Sequence, residues 1–509
     1  MLRPIVGAAA TLLLTSCGSA SGGASGNTQD AAQDVGSVDA PVPESGMDSG
    51  PSEASREGGV DAGWMFSPTT TVAALTANNT SASSSWTGNV TIKGTLVNGY
   101  WDEPPGNVSK IPVSELLPGY SVPIWVETQN WWGNPSHIDN GENSTSSAQI
   151  AAQVADHISR GFAGQVVDWN GPNTTADVAL PFIKSNAEAS GGKYQFAVMI
   201  DKGYFQYGCG ETVACLNSGI AYIVSSYASS SAYAKDSAGH PLVFFFVNQY
   251  YPTEYAILSS SGINVMNTRF VMYEPNGFPG NAPPNTVGEY AWVNPADGSP
   301  SGFADLTSFF SAAGNNQSSV IWSAAWKGFD DNLASWGTNR IIDQQCGKMW
   351  LESFHHTGSF GGSAGYVGNL DFLQSGKRID VVMVDTWDDY EEGTEIETGI
   401  DNCLSSLPVT LAGTTVSWAP SWGADPMNAG VMGDEGTIYR YGVYLAKAGG
   451  TDLMWLANAD CTGGVCSHAL DLSSYGITGG PYVFYVQAVG QPSIRNTLSG
   501  PTSATYTGP

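Results

Sequence analysis

Six carboxylates crowd the run Val381–Asn402: Asp388, Asp389, Glu391, Glu392, Glu395 and Glu397. They follow an apolar stretch, Val381–Val384, and an aromatic, Trp387. Like-charged carboxylates push one another's pKa values apart, so one can hold a proton while its neighbour stays ionised. Cleavage of a glycosidic bond needs that division between acid and base. An indole beside the acids could cover a sugar face. A calcium-binding loop or a solvated acidic surface would use the same residue types. The position at a strand end favours chemistry, because barrels and open α/β sheets carry their sites at the carboxyl ends of strands.

The elements that must position these acids are legible upstream. Apolar runs at Val122–Val126, Ala163–Val167, Gln195–Ile200, Leu242–Val247, Phe270–Tyr273, Tyr290–Val293, Val320–Ala324 and Asp380–Val384 read as strands buried on both faces. Ile150, Val154 and Ile158 share one helical face, and Gly161 is a stop signal. Phe303–Ala313 and Leu333–Phe354 also read as helices. Eight strands with intervening helices over roughly 280 residues predict a (β/α)8 barrel, an α/β fold. Polar and aromatic residues recur at the strand ends: Glu127, Trp131-Trp132, Asp168-Trp169-Asn170, Asp201-Lys202, Asn248-Gln249-Tyr250, Glu274, Trp326-Lys327 and Asp330-Asp331. Singly, each is expected to cap a loop or pair a charge. Together they describe the floor and walls of one cleft.

From about residue 406 the pattern changes to short alternating strands between Gly-rich turns: Thr415–Trp418, Ile438–Ala446, Leu453–Ala457, Ala469–Leu472, Tyr482–Val489 and Thr502–Tyr506. Residues 406–509 are expected to form a β-sandwich serving as a spacer. The stretch 65–120 is expected to pack on the barrel, so that the barrel domain spans 64–405.

At the other end, Arg3 and the apolar run Ile5–Leu14 form a signal sequence too short to span a bilayer as a mature helix. Leu14-Thr15-Ser16-Cys17 fits a bacterial lipobox, with Cys17 as the lipidated residue and 1–17 as the signal segment. Residues 18–63 hold Gly, Ser, Ala and scattered acids, too little apolar surface to offset chain entropy, and are expected to be a disordered tether. These features predict an exported chain attached to a bacterial membrane through that lipid alone. Lys and Arg number 18 against 46 Asp and Glu, a formal charge of −28, which excludes nucleic acid as partner. The 16 Trp and 22 Tyr suit a neutral polysaccharide partner, although most such rings in a large domain are core. Six cysteines besides Cys17 suggest disulfides. Cys209/Cys215 and Cys461/Cys466 could each close a short loop, leaving Cys346 with Cys403, a connectivity that sequence alone does not decide.

The segment Thr386-Trp387-Asp388-Asp389-Tyr390-Glu391-Glu392-Gly393-Thr394 resembles the motif after the last barrel strand in glycoside hydrolase families 71 and 99, the endo-α-1,3-glucanases and endo-α-mannanases. The resemblance is tight only near 380–402, with VVDWNGP (166–172) and WKGFDD (326–331) adding looser support. It implies a barrel glycosidase acting on α-linkages. The paired acids of those families fall on Glu392, as general acid, and Asp389, as its partner base. The motif's usual Asn is Asp388 here. The three-residue spacing brings two side chains together only in a turn or helix. Trp387, Tyr390, Asp168, Trp169, Asp201, Glu274 and Trp326 are the expected substrate contacts. Tyr482, within ITGGPYVFYVQAVG, sits where fibronectin type III modules keep their corner tyrosine, which the C-terminal region resembles. No metal or cofactor is expected, and the chain is expected to be a monomer. The rival readings are a non-catalytic glycan-capturing surface lipoprotein and a calcium-stabilised adhesion protein.

Overall fold

In the computed structural model, described residues run from 64 to 508, excepting 83–88, 93–94, 99–104, 133–142, 249–250, 274–281, 297–300, 333, 335, 357–364, 427 and 463–464. Eight parallel strands close into a barrel: β1 (Ile124–Thr128), β2 (Gly164–Trp169), β3 (Gln195–Asp201), β4 (Leu242–Phe246), β5 (Arg269–Tyr273), β6 (Thr286–Tyr290), β7 (Val320–Ala325) and β8 (Val381–Val384). Neighbours in sequence are neighbours in space, and β8 pairs with β1 through Val382↔Ile124 and Val384↔Val126. Trp125, Phe244 and Trp322 meet edge to face inside the barrel, with centroids 5.0 and 4.6 Å apart. A core plugged this way leaves only the strand ends for chemistry.

All eight predicted strands are present, but the sixth is displaced toward the N-terminus. Val293 N–H does not enter the ladder; it donates to Asp385 Oδ2 at 2.9 Å. The strand begins instead at Thr286 and passes close to β7 at Gly288, where a Cβ would lie 2.2 Å from Val320 O. A glycine in a strand marks such close approach.

Helix α1 (Ser147–Ser159) follows β1, capped by Ser146 Oγ on Gln149 N–H, and buries Ile150 and Val154. Gly161 follows it at φ +83°. Helices α2 (Thr175–Ala189), α3 (Val213–Ser226), α4 (Pro252–Leu258) and α5 (Phe303–Asn315) cover further strands. The helix expected over Leu333–Phe354 is confined to α6 (Lys348–Phe354). Phe329–Asp330 pairs with Ile341–Ile342 as a short hairpin, and Asn339, Cys346 and Gly347 all have positive φ, which breaks any helix through them.

Among the described residues, the C-terminal region forms two larger antiparallel sheets and a two-stranded one, Leu404–Ser406 with Ser421–Trp422. One of the larger two contains β9 (Val409–Ala412), β10 (Thr415–Trp418) and Ala469–Asp471; the other is built on β11 (Ile438–Lys447), β12 (Asp452–Thr462) and β13 (Tyr482–Gly490). Val416, Trp418, Tyr441, Val443, Phe484 and Val486 share its core. Tyr482 donates its hydroxyl to Thr478 O at 3.2 Å, four residues upstream. The last predicted strand, Thr502–Tyr506, is absent as such. Thr497–Leu498 pairs with β13, and Tyr506 makes only an isolated bridge to Tyr482.

Two expectations about these parts change. The start of the N-terminal stretch does not pack on the barrel: Thr70–Thr71 adds an edge strand to β12, and Trp64 packs on Tyr482. Further on, Ser81 reaches the barrel, its N–H donating to Asp156. The C-terminal sheets are also more than a spacer. Ile494 is fully buried in the barrel's core cluster, Trp350 Nε1 donates to Pro492 O, and Ile400 exchanges backbone hydrogen bonds with Ser493 and Arg495. Disulfides join Cys209–Cys215, Cys346–Cys403 and Cys461–Cys466. No helix among the described residues is long and apolar enough to cross a membrane.

Candidate active site

The acidic segment leaves β8 and folds back as a tight turn over residues 390–393. Thr386 Oγ1 accepts from Asp389 N–H at 2.9 Å. Asp389 Oδ1 in turn accepts from Glu391 N–H at 3.0 Å and Glu392 N–H at 2.9 Å. A carboxylate that bonds its own backbone two and three residues on is a turn-forming device. It joins Asp389 to the backbone of Glu392 within one turn.

The six acids divide sharply by access. Asp388, Asp389, Glu391, Glu395 and Glu397 are at most 1 % exposed, whereas Glu392 is partly exposed. Glu395 pairs with the buried Lys327 ammonium at 2.7 Å. Glu397 accepts from Ser81 Oγ at 2.6 Å and Tyr390 Oη at 2.9 Å. Asp388 accepts from Gln129 N–H, Trp132 Nε1 and Gln153 Nε2 at 2.8, 2.9 and 3.0 Å. Burial, with the Glu397 charge, pushes Asp388 up to about 7, while those three donors favour its anion. Asp388 thus ties the segment to the loop after β1 and to α1.

Burial pushes Asp389 well above the ordinary carboxylate range, reinforced by the charges of Glu392 and Glu391. Glu392 is raised too, mainly by burial, with Arg340 and the Trp336 indole pulling the other way. Asp168 and Asp201 sit at the ends of β2 and β3, and both are nearly buried. Burial and the Asp201 charge raise Asp168 strongly; burial takes Asp201 up to about 6. The two share one buried acidic patch at the strand ends, the Asp201 charge acting on Asp168.

Four aromatics expected to contact substrate are core residues instead. Trp387 is fully buried, under Arg160 and against His157 and Phe162. Trp169 donates its indole N–H to Asp177 and packs between Tyr204 and Tyr222. Trp326 donates to Ser301 O and packs on Phe303. Tyr390 is spent on Glu397 and packs against Trp132. For Trp169, Trp326 and Tyr390 the ring's one polar group is already paired inside the protein, and Trp387 is closed in by Arg160, His157 and Phe162. Glu274 and Cys17 lie outside the described residues.

Two features escaped the sequence reading. Glu127, at the end of β1, is fully buried with neither carboxylate oxygen hydrogen-bonded, and burial with Asp168, Asp388, Asp389 and Asp385 around it raises it strongly. Its place at a strand end was visible, but not its convergence with β8. Trp336 and Arg340 lie on the loop between the short hairpin strands, inside what read as a helix. Asp331, Gly337 and Asn339 were the signals of a loop there.

Among the described residues, the one group of three metal-ligating side chains close enough to share an ion is Cys346, Cys403 and Asp425, and both sulfurs are consumed in a disulfide. The carboxylates of the acidic segment do not converge in that way.

The eight-stranded parallel closure with acids at the strand ends defines the class as a (β/α)8-type barrel. Among solved structures, it is similar to an endo-α-mannosidase of glycoside hydrolase family 99 from Bacteroides thetaiotaomicron. One such structure matches at 17% identity and TM-score 0.40, over 54% of this chain and 87% of the other. A second, in complex with bis-tris-propane, matches at 18% identity and TM-score 0.42, over 54% and 86%. Likeness of that size carries no conclusion; the barrel stands on its strand pairing. No family model matches the chain, and no curated protein does.

Proposed function

We propose that the protein is a glycoside hydrolase that cleaves α-linked polysaccharide, an α-glucan or α-mannan, by carboxylate acid/base chemistry. One observation carries this reading. Of the six acids after β8, only Glu392 is appreciably exposed, and burial raises it toward the protonated form. Glu392 is the general acid: it donates its proton to the glycosidic oxygen as the bond from that oxygen to the anomeric carbon breaks. Asp389, three residues earlier in the same turn, is assigned as the partner base: burial and its acidic neighbours favour its protonated form, so only its ionised fraction takes a proton from the attacking oxygen. Asp168 and Asp201 line the substrate side. Action on a neutral polymer outside the cell agrees with the charge of −28.

The test is reducing-sugar release from a panel of α-glucans and α-mannans, with and without chelator, by wild type, Glu392→Gln and Asp389→Asn. Loss of a general acid or base costs about 10²–10⁴ in rate. Activated substrates with good leaving groups should rescue Glu392→Gln but not Asp389→Asn. Binding without release by wild type would favour a glycan-capturing protein, and chelator sensitivity a metal-stabilised one. Equal, mild losses in both variants would sink the assignment.

The same reading makes the chain an exported monomer tethered to a bacterial membrane by lipid on Cys17, with residues 406–509 a fibronectin type III-like module. A mature N-terminus elsewhere, without acyl mass, would refute the tether.

A further inference from the structure

The loop between Phe329–Asp330 and Ile341–Ile342 is held with unusual economy by one side chain. Asp331, fully buried, accepts from Thr338 N–H at 3.0 Å, from Arg340 N–H at 2.7 Å and from Arg340 Nε at 2.7 Å. Gly337 closes against it so tightly that a Cβ would lie 1.8 Å from Asp331 O. The hairpin is also stitched to the acidic turn, since Asp330 N–H donates to Glu392 O at 2.7 Å. This framework delivers Trp336. Its indole Nε1 donates to Glu392 Oε1 at 3.2 Å, and its ring stands edge to face with Trp131, centroids 6.1 Å apart.

Resting on the reading of Glu392 as general acid, we propose that Trp336 is a positioning residue, which aims the Glu392 carboxyl at the scissile oxygen through its indole N–H and sets how readily that carboxyl gives up its proton. An N–H aimed at a carboxylate fixes the rotamer and favours the anion. The charged groups facing Glu392 are Arg340 and Asp331 from the hairpin loop, and Asp389 and Glu391 from its own turn. Burial raises Glu392, and the Arg340 charge and the Trp336 donor oppose that rise. An acid so balanced is neither too weak to donate nor ionised before it can act.

Trp336→Phe keeps an aromatic ring and removes the donor. The sign follows directly. A general acid works protonated, so activity falls as pH rises through its pKa. Removing a donor that favours the anion raises that pKa. Trp336→Phe should therefore lose about tenfold in kcat on an α-linked oligosaccharide, the worth of a hydrogen bond to a charged group. KM should stay nearly unchanged, and the alkaline limb of kcat/KM should move to higher pH. On an activated aryl glycoside, which needs no acid, the loss should vanish.

An equal loss on both substrates with an unmoved limb would mean that Trp336 is only wall, and would overturn the proposal. Glu392→Gln run alongside separates the two readings. Full activity of Glu392→Gln sinks the acid assignment itself. An impaired Glu392→Gln beside an unaffected or uniformly impaired Trp336→Phe sinks the role of Trp336 alone. Fluorotryptophan-labelled protein gives a measurement that does not depend on the variant at 336 folding. One indole resonance should titrate with pH in the wild-type background and not in Glu392→Gln. Absence of any such resonance overturns the proposal.

Discussion

The guanidinium of Arg160 lies 4.5 Å over the ring of Trp387 and reaches past it to donate to Ile396 O and Glu397 O. The acidic segment is therefore clamped from the C-terminal end of α1. Arg160 is itself held by Asp156, which accepts from its Nε and Nη2, each at 3.0 Å. Arg160→Lys would keep the charge but lose the planar fork. The expected outcome is a lower melting temperature and reduced turnover, since the loop carrying Asp389 and Glu392 loses its anchor. Arg160→Met should be worse, about 3–5 kcal/mol, because it leaves Asp156 facing only Lys110. A denaturant titration with intact stability in both variants would show that the clamp is dispensable.

Asp388→Asn is the second prediction. Asp388 Oδ2 accepts from two donors, Trp132 Nε1 and Gln153 Nε2. Asn can place an oxygen toward these donors or toward Gln129 N–H, not both. Its amide would face at least one donor with another. A cost of about 1–3 kcal/mol is expected, measured as a shift in melting temperature, with a smaller effect on activity than Asp389→Asn.

The pH dependence of stability should be tilted toward acid. Asp201 is raised to about 6 and Asp388 to about 7, mainly by burial, and burial also raises Glu127, Asp168, Asp385 and Asp389 well above the ordinary carboxylate range. Unfolded carboxyls titrate near about 4. Between pH 4 and 7 the folded chain therefore binds more protons than the unfolded one, and stability falls as pH rises through that window. Asp156 acts oppositely. Burial alone would raise it, but Arg160 and Lys110 hold it well below the ordinary range, so its contribution is lost as pH falls below about 4. Calorimetry should find the maximum melting temperature between about pH 4 and 6, and a maximum at or above pH 7 would contradict this account.

The fourth prediction concerns the join between barrel and C-terminal sheets. A chain ending at residue 405 removes Ile494 from the barrel core and Pro492 O from Trp350. It also strips the partners of Ile400, just beyond the acidic segment. Such a chain should aggregate or melt well below the full-length protein, by size exclusion and thermal scanning. Within the full chain, Ile494→Ala should cost about 2–5 kcal/mol. A truncated chain that stays monomeric and fully active would restore the spacer view.

The sequence by itself determined the barrel and the acidic run that follows its last strand. Val, Ile and Phe runs such as Val381–Val384 can only be buried strands, and their spacing leaves room for covering helices. The turn that joins Asp389 to the Glu392 backbone was equally local, because a three-residue turn needs no distant partner. Burial was not local. Trp387, Trp169, Trp326 and Tyr390 looked like sugar platforms because an aromatic at a strand end has the same composition whether it faces a cleft or the core. Only the arrival of Arg160, Asp177 and Ser301 from elsewhere in the chain, and the fold-back of Glu397 onto Tyr390, decided for the core. For Trp336, Asp331, Gly337 and Asn339 could have signalled a loop, but only the fold shows Asp331 gathering the N–H groups of Thr338 and Arg340 to place the indole on Glu392. Tertiary structure likewise decided which acid keeps access. Six carboxylates in one run are chemically alike until packing buries five and leaves Glu392 partly exposed.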